Sequence, residues 1–282
     1  MNNIGYIEYR KIKGIEECKL CEDLQLKVWG FSERELFPAR HLLTAQENAG
    51  LVLGAFDNKG TLIGYSYGFL GYSEGKYYLY SHMLGVLDEY KYKNIGYNLK
   101  LLQRKIIQER GFTLIKWTFD PLESPNAYLN LHKLGAIIKT YYIDYYGEFR
   151  GINYGLPTDR FLVEWELDTH RVRDRVEEKN ISPLIQSDYP AITQTLYNRK
   201  GLLELKNIEL NCNENKFLVE IPSNIQEIKT IDFNVAIDWR NKTRDIFTSY
   251  LTGKYYITDF CTFIHDKKVR KSFYLLEKIT PA

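Results

Sequence analysis

A basic loop that joins a strand to a helix is the part of this sequence best suited to chemistry. The apolar run that ends at Val86 reads as a strand, and a helix is predicted from about Gly96. Lys91, Lys93 and Lys100 place positive charge around this junction. The first amides of a helix and the positive end of its dipole both attract anions. The pattern therefore predicts a phosphate or diphosphate site, and the alternative is a basic helix start that only faces water.

Two side chains, His82 and Asp120, are candidates for a general base. His82 lies on the strand before the loop. Tyr80 shares its predicted strand face, because side chains two residues apart on a strand point to the same side. An imidazole with an ordinary pKa of about 6.5 suits proton transfer near neutral pH. Asp120 ends the next predicted strand, at the carboxyl edge where sites of α/β proteins gather. His82 is the first candidate and Asp120 the second, and a hydrogen-bonded core histidine is the alternative role for His82.

A mixed α/β sheet must position these residues. Apolar periodicity predicts a helix, an antiparallel hairpin and a third strand, followed by two strand–helix crossovers and a last strand pair. The strand after the first crossover helix should run parallel to the third strand, since a helix joins them. In chain order the predicted elements are helix 14–29, strands 51–56, 61–70 and 77–86, helix 97–110, strand 114–119, helix 126–134, and strands 136–146 and 160–167.

A charge-dense segment at 169–179 predicts a domain boundary. We therefore divide the chain into a first domain at 1–168 and a smaller C-terminal unit at 169–282. That unit should have β-α-β-β order and pack against the first domain. Its predicted elements are strand 216–221, helix 225–251 and strands 255–264 and 269–278.

Bulk properties exclude several classes of protein. A net charge of +2 is too small to argue for binding to nucleic acid or to an anionic membrane. No apolar run reaches the roughly 20 residues that span a bilayer, and the polar N-terminus lacks a signal sequence, so we expect a cytoplasmic protein. Cys18 and Cys21 have no second ligand pair at zinc spacing, so we expect core thiols and no metal.

The strand, loop and helix resemble the acyl-coenzyme A site of the GNAT superfamily. In that family an Arg or Gln precedes two glycine positions in the loop that opens the helix. Here Lys91 stands in the Arg/Gln place, Asn94 in the first glycine place and Gly96 in the last. Asn accepts a positive φ better than most residues, so the loop can keep its shape. Val86 stands where the family's strand binds the pantetheine arm.

The wider resemblance extends over nearly the whole chain, to a subgroup known as predicted acetyltransferases. It implies a GNAT-type, mostly antiparallel sheet with flanking helices, and acetyl-coenzyme A as co-substrate. The runs that carry it are Ser-His-Met-Leu-Gly-Val, Asn-Leu-Lys-Leu-Leu-Gln-Arg, Trp-Thr-Phe-Asp-Pro-Leu, Asn-Ala-Tyr-Leu-Asn-Leu-His-Lys-Leu-Gly-Ala, Asn-Tyr-Gly-Leu-Pro-Thr-Asp-Arg-Phe and Trp-Arg-Asn-Lys-Thr-Arg.

The resemblance also implies roles for single residues. A backbone N–H at Val86 would polarise the acyl carbonyl, and Tyr80 occupies a position where some relatives place a glutamate base. On the second crossover helix, Ser124 stands in the place of a cofactor-binding Asn, with Asn126 as its substitute. The implied cofactor-binding set is Leu84, Val86, Lys91, Lys93, Asn94, Ile95, Gly96, Tyr97, Ser124 and Asn126, and the catalytic set is His82, Asp120 and Tyr80.

One departure from the family keeps two functions open. Leu131 occupies the place of the tyrosine that protonates the leaving thiolate, so the usual general acid is missing. The first function is direct transfer of an acetyl group to an amine or hydroxyl of a small molecule or peptide. The alternative is a degenerate module that binds coenzyme A, or another ligand, without turnover. The acceptor is not identified, and a homodimer is left open.

Overall fold

The structure is a computed structural model that describes residues 6–91, 93–147, 154–177, 188–265 and 269–279. The chain forms two compact units. The first comprises Met1–Trp117 with Arg150–Tyr154, and the second comprises Thr118–Phe149 with Gly155–Ala282. The division at residue 168 stays a prediction.

The first unit is built on strands β1 (Glu8–Lys11), β2 (Leu51–Phe56), β3 (Leu62–Ser73) and β4 (Lys76–Val86), with the start of β5 (Leu114–Phe119) beside β4. Strands β1 to β4 pair antiparallel in chain order, and β5 runs parallel to β4. The predicted hairpin and the predicted parallel strand are both confirmed. Strand β1 was not predicted, because four residues give too short a pattern.

Three helices cover the two faces of this sheet: α1 (Gly14–Trp29), α2 (Ala39–Glu47) and α3 (Ile95–Glu109). Helices α1 and α2 share a core with Tyr65, and this core contains Cys18 and Cys21, which confirms the predicted core thiols. Ile95 of α3 lies beside Gly64 instead. Neighbouring strand residues point to opposite faces, so α3 lies on the other side of the sheet.

The second unit has a five-stranded antiparallel sheet and a separate hairpin. In chain order its strands are β6 (Ile137–Tyr142), β7 (Arg160–Glu166), β8 (Thr193–Tyr197), β9 (Leu203–Ile208), β10 (Lys216–Ile221), β11 (Tyr255–His265) and β12 (Val269–Lys278). The sheet order is β7-β6-β11-β12-β10, while β8 pairs with β9. The predicted β-α-β-β order is present, and the β8–β9 hairpin before it was not predicted.

The helices of the second unit are α4 (Ser124–Ala127), α5 (His170–Val176), α6 (Ile225–Ile231) and α7 (Phe233–Tyr250). The second crossover helix departs from prediction, because α4 continues into a π-helical segment at Tyr128–Lys133. The single helix predicted at 225–251 is also wrong: Asp232 separates α6 from α7. Its carboxylate accepts a hydrogen bond from the Asn234 amide at 3.2 Å, which starts a new helix. The described residues thus form a mixed, mostly antiparallel α/β fold with flanking helices, as predicted.

Candidate active site

Among the described residues, one edge of strand β4 has a partner strand over only part of its length. The β4–β5 ladder consists of two residue pairs, Leu79 with Ile115 and Tyr80 with Lys116. Strand β4 then continues to Val86 on the side of β3 alone. Unpaired strand edges present N–H and C=O groups that an extended ligand can bind. The segment Ser81–Val86 therefore offers a backbone edge to a ligand.

A β-bulge lies at the start of this edge. Tyr67 of β3 is opposite Met83, and the next residue of β3 is opposite Ser81, so His82 is the extra residue. A bulge disturbs the alternation of side chains. Met83 and His82 accordingly point to the face of α1 and α2: the Tyr65 hydroxyl donates to the Met83 sulfur at 3.0 Å, and the His82 ring lies 4.7 Å from that of Phe37.

Leu84 and Val86, which follow the bulge, face helix α3. A Cβ atom placed on Gly96 would lie 3.6 Å from Leu84 Cδ2 and 4.0 Å from Val86 Cγ2. Gly85 points the other way, toward Trp29. The strand end and the helix start are therefore adjacent, as the resemblance implied, while His82 belongs to the opposite face.

Helix α3 begins without a side-chain cap. Asn94 precedes it with a φ of 59°, in the left-handed region, as expected for the residue in the first glycine place. The Ile95 and Gly96 amides belong to the first turn, which has no intrahelical acceptors. Within the described part of the chain these two amides make no hydrogen bond. Both are thus available to an anion; Tyr92, in the same loop, lies outside the described residues.

The lysines of the loop differ in their surroundings. Lys91 is exposed and its Nζ lies 2.6 Å from Asp88, while Lys93 Nζ lies 4.9 Å over the Tyr90 ring. A surface ion pair of this kind is weak, so it leaves Lys91 able to turn toward a phosphate. The spacing of three residues between Asp88 and Lys91 could have indicated this pair from the sequence. Tyr97 is half-buried in the first turn of α3.

Lys100 does not add its charge to the loop, which corrects the sequence analysis. Its side chain is 2% exposed, its Nζ donates to Ser81 Oγ at 2.8 Å, and the same atom lies 3.6 Å over the Trp117 ring. The position on the helix turns it inward, toward the sheet. Burial lowers the pKa of the Lys100 amine well below its usual value of 10.5.

His82 lies among four rings that we call the aromatic enclosure: Phe37, Tyr67, Phe69 and Tyr80. Their centroids lie 4.7, 6.3, 6.0 and 6.1 Å from that of His82. Burial lowers the pKa of His82 below 6.5, and nearby His41 lowers it further. The imidazole is therefore neutral at pH 7, the form in which it can accept a proton. Its Nδ1 is buried and has no hydrogen-bond partner among the described residues.

His41 and Tyr67 add a contact that sequence analysis missed. His41 Nε2 lies 2.8 Å from the Tyr67 hydroxyl, and the two rings are perpendicular. The positions of Tyr67 and Phe69, two apart on β3, could have indicated a shared face. Phe37 could not have been found, because it comes from the loop between α1 and α2.

Three predicted site residues lie in the second unit. Asp120 is 3% exposed; its Oδ2 lies 2.5 Å from Arg240 Nη2 and its Oδ1 accepts from the Leu122 amide. Arg240 is itself fully buried, and this ion pair is internal to the second unit. Ser124 Oγ donates to Ser272 Oγ at 3.0 Å, and Asn126 is exposed. Their catalytic and cofactor roles stay predictions, and the partners of Asp120 favour a structural role.

The described residues contain no group of three or more His, Cys, Asp or Glu side chains arranged to hold a metal ion. Among the helices that the structure describes, none has the length and apolar character needed to cross a bilayer.

Comparison with family models and with curated proteins gives no match. Solved structures do match. The chain is similar to PaiA N-acetyltransferase from Thermoplasma acidophilum in complex with coenzyme A, with 24% identity over 57% of this chain and 99% of that one, at a TM-score of 0.43. It is similar to the NatC complex bound to Gag peptide and CoA, with 19% identity over 57% of this chain and 98% of that one, at a TM-score of 0.47. It is also similar to Arabidopsis thaliana Naa50 with a bisubstrate analogue, with 17% identity over 56% of this chain and 97% of that one, at a TM-score of 0.46.

Proposed function

We propose that this chain is a GNAT-type acyltransferase that moves an acetyl group from acetyl-coenzyme A directly to an amine. The observation that carries the proposal is the open edge of β4, which ends beside the uncapped first turn of α3. An extended amide-containing arm fits a strand edge, and a diphosphate fits free helix amides. The resemblance stated above agrees with both.

The residues present fit such a ligand. The amides of Ile95 and Gly96, which have no hydrogen-bond partner among the described residues, would hold the diphosphate, and Gly96 adds no side chain beside them. Lys91 and Lys93 would add charge from the rim of the loop. Leu84 and Val86 would line the pantetheine arm along β4. The bound thioester supplies an activated acyl carbonyl, whose oxygen would accept a hydrogen bond from the backbone of β4.

His82 would serve as the general base. The neutral imidazole takes a proton from the amine nitrogen as that nitrogen forms its bond to the carbonyl carbon. The carbon–sulfur bond breaks, the electron pair leaves with sulfur, and the thiolate takes a proton from solvent. Tyr80 lies 6.1 Å from His82, ring to ring, and would line the same cleft. No side chain is assigned as general acid.

A second candidate function is a module that binds coenzyme A without turnover. Leu131 favours it, because this residue is fully buried and apolar where the family places the acid tyrosine. The position of His82 beside the open strand edge favours the enzyme.

The test has two readouts. Acetyl-coenzyme A should raise the melting temperature, because a ligand that binds only the folded state stabilises it. Release of the coenzyme A thiol in the presence of an amine panel should then report turnover. We expect His82→Gln to keep the thermal shift and to lose about 10²–10⁴-fold in turnover, the usual contribution of a general base.

His170→Gln is the matched control, since His170 is exposed at the start of α5 in the second unit. Its turnover should equal that of the unchanged protein. A thermal shift without turnover on any amine would support the binding module instead. Absence of a shift at millimolar ligand would overturn both functions.

A further inference from the structure

We propose that the acceptor is a primary amine carried on a flat aromatic group, which packs against the aromatic enclosure around His82. This inference rests on the proposed function and specifies its acceptor. It comes from the side chains on the α1–α2 face of the β4 bulge.

The enclosure presents ring surface where an acceptor must lie. Phe69 and Tyr80 are directly opposed on β3 and β4, and their ring centroids are 5.4 Å apart. Phe69 is 38% exposed, and Tyr80 and His82 are half-buried. Phe37 closes one side, with its ring 4.7 Å from that of His82. A planar group placed here gains offset or edge-to-face contacts at the spacing that aromatic pairs prefer.

The chemistry of the enclosure selects against other acceptor classes. Its four side chains are Phe and Tyr rings around the His82 imidazole, and none carries a carboxylate, ammonium or guanidinium group. The Tyr67 hydroxyl, which is 2.8 Å from His41, is already paired, and burial raises its pKa, so it stays neutral. A carboxylate, phosphate or second ammonium on the acceptor would lose water here without gaining an ion pair.

The same surface suits the one charge that the acceptor must bring. An amine reaches the site mainly as an ammonium ion, and ring faces attract a cation within about 6 Å. The ammonium ion loses one proton to solvent, which frees the nitrogen lone pair to attack, and neutral His82 accepts the second proton as the nitrogen bonds to the carbonyl carbon. Among the described residues, none forms a hydrogen bond with His82 Nδ1.

Four commercial amines test the proposal by comparison of kcat/KM. 2-Phenylethylamine has the ring and no other charge, phenylalanine adds a carboxylate, ethylamine lacks the ring, and spermidine adds further ammonium groups. We expect 2-phenylethylamine to exceed each of the others by about tenfold or more, the size of one good aromatic contact. Equal or better turnover of phenylalanine, ethylamine or spermidine would overturn the aromatic class.

Two variants locate the contact. Phe69→Leu and, separately, Tyr80→Leu should each reduce kcat/KM for 2-phenylethylamine several-fold more than kcat/KM for ethylamine. Tyr72→Leu is the matched control: Tyr72 lies on the same strand, is 62% exposed, and pairs with Tyr77 at 4.9 Å outside the enclosure. It should have no effect. An equal loss for all three variants, or for both amines, would contradict the proposal.

The outcomes separate this inference from the proposed function. A thermal shift with acetyl-coenzyme A and turnover of amines without a ring would keep the acyltransferase and reject the aromatic acceptor. No shift and no thiol release would reject both.

Discussion

At the scale of single residues, the proposed chemistry depends on an imidazole kept neutral by its surroundings. Burial lowers the pKa of His82, and His41 lowers it further. A base must be unprotonated, so the contribution of His82 to activity should be complete at pH 7 and be lost as the pH drops through this lowered pKa. We expect the acidic limb of kcat/KM against pH to lie below 6.5.

His41→Gln tests the cause of that shift. The substitution removes the imidazole that lowers the pKa of His82, so the acidic limb should move upward, toward the ordinary value. Tyr67→Phe removes the hydroxyl bonded to His41 and keeps the ring beside His82. An acidic limb that stays in place in His41→Gln would refute electrostatic coupling between the two histidines.

Lys100 gives a prediction about stability. Burial depresses the pKa of its amine in the folded state, so the unfolded chain binds more protons between that pKa and about 10.5. The buried amine therefore lowers the free energy of unfolding at neutral pH, and this loss of stability disappears as the pH rises through 10.5. We expect Lys100→Met to raise the free energy of unfolding at pH 7 by about 1 kcal/mol, since Met replaces the stem and removes the buried amine.

Urea unfolding at pH 7 and pH 9.5 checks this expectation. The unchanged protein should gain stability between the two values, and Lys100→Met should not share that gain. Lys105→Met, an exposed position on the same helix, is the control and should follow the unchanged protein. A loss of stability in Lys100→Met at pH 7 would show that the bond to Ser81 outweighs the cost of burying the amine.

At the scale of elements, the bulge in β4 divides the site between two faces. Gly85 and Gly96 lie on either side of that strand end and differ in the room around them. A Cβ atom on Gly85 would come within 2.6 Å of the Trp29 ring, and one on Gly96 would remain 3.6 Å from Leu84. Packing against Trp29 thus requires a glycine at position 85, whereas Gly96 lies at a helix start with room for a Cβ atom.

The two alanine substitutions should therefore have opposite effects. Gly85→Ala should lower the free energy of unfolding by about 1–3 kcal/mol, because Trp29 must move in a packed core. Gly96→Ala should leave stability equal or slightly higher, since Ala favours a helix, and should weaken binding of acetyl-coenzyme A by crowding the amides. Chemical unfolding and calorimetric titration measure the two effects. Unchanged affinity in Gly96→Ala would place the diphosphate elsewhere.

Local sequence patterns predicted many elements of this fold. They failed where the local structure depends on partner strands or on side chains distant in sequence. Strands β5 and β10 have the predicted bounds, because their apolar runs end in clear breaks. The π-helical segment at Tyr128–Lys133 has an ordinary helical pattern in sequence. The bulge at His82 depends on the register with β3, which no residue of β4 reveals.

At the scale of the whole molecule, the net charge of +2 conceals charges that are paired inside the second unit. Arg240 pairs with Asp120 and Arg244 with Asp159, across 120 and 85 residues of chain. Sequence alone could propose Asp120 as a second base because nothing in the chain order indicates a partner so distant. The loop at Asn94 was predictable for the opposite reason, since all its parts are neighbours in sequence.

These internal pairs should make the protein sensitive to acid. Burial works to raise the pKa of Asp159, but hydrogen bonds from Arg244 and Tyr141 outweigh it, and the pKa lies below the usual 3.8. A carboxylate with a depressed pKa stabilises the folded state above its unfolded pKa, and that stabilisation is lost as the pH falls through the folded value. The free energy of unfolding should therefore decline below about pH 4.

Asp159→Asn isolates this contribution. Asp159 is fully buried and accepts two bonds from Arg244, at 2.9 and 2.7 Å, so the substitution should cost about 3 kcal/mol at pH 7. It should also flatten the decline in stability on the acid side, because the group that titrates is gone. Asp245→Asn, exposed on the same helix as Arg244, should change neither quantity. Urea unfolding from pH 3 to pH 7 decides the matter: a decline as steep in Asp159→Asn as in the unchanged protein would assign the acid sensitivity to other carboxylates.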